Sequence, residues 1–191
     1  MLWHEQVLQF WFGGVEDENL ASERSTWFRK DASFDETIRQ RFLTLVEALE
    51  AGALSPDLGD ARVTLAWLIV ADQFPRNLFR GTVRAFGCDA RARDVARQAV
   101  AAGLDALLPP AARWFVYLPF EHSEDLADQD EAVRLFATLA TYPGQENVTD
   151  YAHRHRAVIQ RFGRFPHRNA ALGRESTAEE AAFLKEPGSS F

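Results

Sequence analysis

Apolar residues in this chain return at intervals of three and four almost from end to end, and no stretch sustains the strict alternation of a half-buried strand. That periodicity confines the fold to helices packed on helices. Ile38, Phe42, Leu45, Val46 and Leu49 show the pattern at its clearest. Ser33 with Glu36 forms a capping-box signature before them, and Gly52 supplies a left-handed stop. The same punctuation predicts a helix over Trp3 to Phe12 closed by Gly13-Gly14, and one capped by Asp60 that carries Leu65, Leu68 and Ile69 and ends before Pro75. Further helices follow from Asp89 to Gly103, Pro110 to about Pro119, Ser123 to before Pro143, Thr149 to Gly163, and from the Thr177/Glu180 capping box to Pro187. The expected architecture is all-α: an antiparallel array of seven to eight helices. Links this short favour antiparallel neighbours.

A chain of 191 residues suits one helical domain, here 1–187, with 188–191 as a frayed tail. Cys88 is the single cysteine, so no internal disulfide forms and a reducing, cytoplasmic setting is expected. The amino-terminal residues lack a basic-then-apolar leader, and the run from Leu65 to Ala71 is too short to span a bilayer. Neither a membrane nor, at a net charge of −7, a nucleic acid is an expected partner. Charge is also unevenly placed. Six carboxylates and no cation lie between Glu121 and Val133, while six arginines and no carboxylate lie between Tyr151 and Arg174. Such blocks invite pairing within the fold. All cations except Lys30 and Lys185 are arginines, whose planar guanidinium grips carboxylate or phosphate at two points.

Three turns are more polar than chain reversal requires: Asp72 to Arg80, Leu118 to Asp125, and Arg161 to Asn169. If successive helices alternate in direction, all three fall at one end of the molecule. A mixed-charge cleft is then expected there. Its candidate ligand-binding residues are Asp72, Arg76, Asn77, Arg80, Glu124, Arg164, Arg168 and Asn169. His122 and His167 are candidates for proton transfer, with Glu121 or Asp125 setting tautomer and proton affinity.

The phrases Asp72 to Asn77, Pro119 to Asp125, and Arg161 to Asn169 followed by Leu172-Gly173-Arg174 closely resemble the bacterial "domain of unknown function 924" family. The likeness runs from Phe10-Trp11-Phe12 to the helix of Thr177 to Leu184. It implies a fold related to tetratricopeptide-like stacks of helix pairs, and it brings no catalytic residue with it.

Two functions fit this pattern. One is a pocket for a small anionic metabolite, with acid–base chemistry available from the histidines. The other is a protein-interaction scaffold that receives a partner on a concave helical face, the polar turns then serving only as ion-pair networks. No cofactor is expected, since the sequence holds no Gly-rich phosphate loop, nucleophile elbow or dinucleotide fingerprint. Metal is not expected either. His153 and His155 are two apart on a helix and face different ways, and His155 reads as a hydrogen-bonded core histidine beside Val158 and Ile159.

Overall fold

The computed structural model describes residues 1–145 and 147–189. Among these every regular element is helical, as the three-and-four spacing predicts. None is long and apolar enough to cross a membrane. The backbone packs as two compact units, one formed by residues 1–80 and 84–119 and the other by residues 81–83 and 120–191. The part of the predicted frayed tail at Ser190 and Phe191 lies outside the described residues.

The first unit contains α1 (Trp3–Phe12), α2 (Asp17–Leu20), α3 (Ala32–Glu50), α4 (Ala61–Leu68), α5 (Phe74–Leu78) and α6 (Asp89–Ala101). It also holds most of α7 (Pro110–Glu121). Helix α1 buries Val7, Leu8, Trp11 and Phe12, the stripe expected of one face. Helix α3 buries Ile38, Phe42, Val46 and Leu49. Helix α4 buries Thr64 to Leu68 without a break, so it runs through the interior. The core is aromatic. Trp11 stacks on Trp27 at 6.4 Å and meets Phe74 and Phe115 edge-on at 5.7 and 5.5 Å, while Phe74 stacks on Phe42 at 5.0 Å. Offset and edge-to-face contacts of this kind add to the burial of large rings. The Trp27 indole N–H is satisfied by donating to the Trp11 carbonyl at 2.7 Å.

Proline does not stop the helix at Phe74 as its sequence position suggests. Residues Ile69–Gln73 form a π-helical turn, in which Phe74 N–H reaches back to the Ile69 carbonyl, and Phe74 itself keeps helical angles (φ −60°, ψ −39°) before α5 continues. The wider turn lets the chain pass a residue that has neither an amide hydrogen nor room for the usual carbonyl. Pro119 is likewise carried inside α7, which extends to Glu121.

The second unit contains α8 (Leu126–Leu139), α9 (Val148–Phe162) and α10 (Ala178–Phe183), with α8 and α9 packed as its main pair. Val158, Ile159 and Phe165 form a small core against which Phe162 and Phe183 pack. Gly163 ends α9 at φ 68°, the left-handed geometry that glycine adopts without a Cβ clash. The Thr177/Glu180 capping box forms as its sequence predicts. Other caps fall elsewhere. Asp31, not Ser33, caps α3, and α8 starts later than Ser123, with Asp125 as its cap. In each case a neighbouring group takes the role or the expected side chain has another partner.

Phe74 is fully buried at the meeting of α1, α3 and the π turn. Phe74→Ala is expected to cost ~3–5 kcal/mol of folding stability, which denaturant unfolding followed by circular dichroism measures directly.

Candidate functional site

The predicted polar residues divide between the two units. In the first, the π turn and α5 present Asp72, Arg76, Asn77 and Arg80. Asp72 is almost wholly buried, and its carboxylate accepts from Gln73 Nε2 at 2.6 Å and lies 3.2 Å from Arg76 Nη1. Arg76 also grips Asp89 at two points, 2.8 and 3.0 Å, and donates to the Asp72 carbonyl at 2.7 Å. Burial works against its charge, but Asp72 and Asp89 outweigh this and hold its pKa above the ordinary value. Asn77 and Arg80 converge on Asp35 at the start of α3: Asn77 Nδ2 donates at 2.7 Å and Arg80 closes a two-point grip at 2.8 and 3.0 Å. These four candidates therefore hold α3, α5 and α6 together.

In the second unit the end of α7 and the loop after α9 supply the remaining candidates. The loop is pinned twice. Arg164 grips Glu180 at 2.6 and 2.8 Å, and Glu180 also accepts from Thr177 N at 2.7 Å and from Asn169 Nδ2 at 3.3 Å. The Arg164 hydrogen bond is the largest cause that draws the Glu180 carboxyl down to about 2, and burial only partly opposes it. Arg174 grips Glu124 at 2.7 and 2.9 Å, and Glu124 Oε1 accepts the Phe165 N–H at 2.8 Å. Burial raises the Glu124 pKa, but Arg174 and the Phe165 amide overcome it and leave the group below its usual range. Asn169, also buried, accepts from Arg174 Nε at 3.0 Å and so joins the two grips. Asp125 caps α8 by accepting from Ala127 N at 2.8 Å. A depression of about 340 Å³ opens beside this region, lined by Arg161, Phe162, Arg164, Thr177, Glu179 and Glu180.

The clamped loop sets Phe165 and a short 3₁₀ turn, Pro166–Arg168, against α9. The Arg168 guanidinium lies 4.5 Å from the centre of the Phe165 ring, and the His167 ring is 5.5 Å from the same centre. His155 of α9 meets Phe165 edge-on at 5.7 Å, and His122 lies 6.5 Å from His155. Buried Glu121 brings Oε1 to 3.0 Å from His155 Nδ1, which also lies 2.8 Å from the Tyr151 carbonyl. Since that carbonyl can only accept, Nδ1 carries the hydrogen and His155 is held as one tautomer. His155 is the core histidine its helical position predicts, 5% exposed.

The glutamate thus faces His155. A carboxylate at this distance favours a charged imidazole, yet burial prevails and lowers the His155 pKa to about 3; the neighbouring His122, His167 and Arg168 push the same way. His155 is therefore neutral near pH 7. His122 and His167 are partly exposed, while Arg168 is 6% exposed. Sequence reasoning leaves Asp35, Asp89, Arg174 and Glu180 out of the polar clusters although each closes one. The available signal is charge balance: the arginines of these turns call for carboxylates, and acidic residues at helix starts are within reach. Among the described residues no three His, Cys, Asp or Glu side chains are grouped to hold a metal ion. Cys88 is buried, and burial raises its thiol pKa, so it is not poised as a thiolate.

The chain belongs to the DUF924 family, described as a bacterial protein of unknown function, whose pattern matches residues 7–188. It is similar to the protein of unknown function ATU0120 from Agrobacterium tumefaciens, whose solved structure superposes with a TM-score of 0.84 at 37% identity, covering 95% of this chain and 96% of that one. No curated protein matches.

The unfolded chain takes a proton on His155 near the ordinary histidine value of about 6.5, whereas the folded chain resists it down to about 3. Its contribution to stability is complete above that ordinary value and is lost as pH falls toward the folded one. His155→Gln keeps a donor for the Tyr151 carbonyl and removes the titration. Urea unfolding from pH 7.5 to 4.5 is expected to give this variant a flatter stability curve than the parent, by up to ~1.4 kcal/mol per pH unit.

Proposed function

We propose that the second unit binds a small anionic metabolite at the basic group formed by His122, His167 and Arg168. The carrying observation is their gathering about Phe165 and His155, on two chain segments far apart in sequence. Arg164, Glu124 and Asn169 serve this reading by fastening the loop through the grips around Glu180 and Glu124. Asp72, Arg76, Asn77 and Arg80 are committed to Asp35 and Asp89, and the reading does not draw on them. Arg168 provides the near-buried charge, where an ion pair is less screened than at the surface. His122 and His167, partly exposed, are the groups able to pass a proton to or from a bound molecule. Glu121 acts at one remove by fixing His155 beneath them.

A thermal-shift screen of phosphorylated and carboxylated metabolites at millimolar concentration tests the site. Members of at least one of these classes are expected to raise the melting temperature, and Arg168→Gln to abolish most of the gain. A full panel that leaves the melting temperature unchanged would contradict the proposal.

A further inference from the structure

The depression of about 340 Å³ in the second unit is lined by two ion pairs of unequal commitment. The inner pair is closed. Arg164 donates to both oxygens of Glu180 and to the Glu175 carbonyl, and Glu180, 3% exposed, also accepts from Thr177 N and Asn169 Nδ2. The outer pair is open. Arg161 donates to Glu179 Oε1 through Nε alone, at 2.8 Å, so that among the described residues its two Nη groups and Glu179 Oε2 carry no hydrogen bond. The two side chains are 47% and 62% exposed, and a pair so exposed contributes little to folding. Both charges are therefore available to a ligand. The Arg161 guanidinium is also steadied from below, 4.6 Å from the centre of the Phe162 ring and 5.8 Å from that of Phe183.

Charge balance selects the ligand. Two guanidinium groups and two carboxylates line the depression, so a simple anion drawn to Arg161 meets Glu179 beside it, and a simple cation drawn to Glu179 meets Arg161. A zwitterion escapes both conflicts. Its carboxylate accepts from the Nη edge of Arg161 while its ammonium donates to Glu179 Oε2, and the four charges alternate in sign. Spacing narrows the class: Arg161 and Glu179 are in direct contact, so the ligand's own two charges must sit on adjacent groups, as they do in an α-amino acid. Phe162, also in the lining, offers an apolar surface to its side chain, and the volume lies at the small end of ligand sites. We propose that this depression binds a small apolar α-amino acid as its zwitterion, held by Arg161 and Glu179. The site shares no residue with the group of His122, His167 and Arg168, and its test is independent of that reading.

The test is a titration of the full nitrogen-15-labelled chain at neutral pH, followed through its backbone amide NMR signals, with L-leucine, 4-methylpentanoate, 3-methylbutylamine and 6-aminohexanoate. The second and third probes are leucine without its ammonium and without its carboxylate. The fourth is an isomer of leucine with its charges at opposite ends of the chain. Leucine is expected to bind with a Kd on the order of 1 mM and to move the signals of residues 161–164 and 177–180, and each other probe to bind about fivefold or more weakly. Arg161→Gln and Glu179→Gln alter exposed side chains, so the fold is retained, and each is expected to weaken leucine about fivefold. Binding of 4-methylpentanoate or 3-methylbutylamine as tight as that of leucine would overturn the zwitterion assignment. Equal binding of 6-aminohexanoate would overturn the α-amino acid assignment. Leucine shifts confined to other parts of the chain, binding unaltered in both variants, or no shift at about 20 mM leucine would each overturn the site.

Discussion

A guanidinium closing on a carboxylate at two points is the fastening on which both units of this protein depend. In the first unit Arg76–Asp89 joins the π turn and α5 region to α6, and Arg80–Asp35 joins its far end to α3. In the second, Arg174–Glu124 and Arg164–Glu180 hold the loop after α9 against the start of α8 and against α10. Pairs of this kind add little net stability, because desolvation of the two ions consumes most of their attraction. What they contribute is position. A loop held at Glu124, Asn169 and Glu180 has few alternative paths, and Phe165, His167 and Arg168 are presented accordingly.

The aromatic core and the grips divide the labour. Trp11, Phe42, Phe74 and Phe115 supply non-directional burial, which decides that helices pack but tolerates sliding and rotation. The grips remove that freedom at the helix ends. Glu121 and His155 represent a third kind of element, a buried polar pair that burial keeps from charging the imidazole. Its neutrality leaves the positive character of the neighbouring loop to Arg168, not to the buried ring.

Helix identity was legible in the sequence because it follows from apolar spacing, which packing enforces at every turn. The Thr177/Glu180 capping box and the glycine stops at Gly52 and Gly163 were legible for the same local reason. Family membership was legible from the phrases around Asp72, Pro119 and Arg161. Helix ends were less so. Pro75 and Pro119 read as terminators, yet a π turn and a long α7 carry them through. Asp31 displaced Ser33 as a cap because its carboxylate reaches two amides as well as the serine hydroxyl. The partners of the polar turns were the least legible. Arg174 is fifty positions from Glu124, and Arg80 is forty-five from Asp35, distances that no local pattern can bridge. His155 was placed correctly in the core by its spacing, while its pairing with Glu121 depends on how the end of α7 meets α9.

The wide turn at Ile69–Gln73 amounts to one surplus residue lodged in an otherwise continuous rod. An unbroken α-helix through this point would rotate everything beyond it by about 100°, swinging Asn77 and Arg80 off the side that faces Asp35. One surplus residue thus decides which neighbour an entire polar edge faces, with no change in the side chains that make the contact.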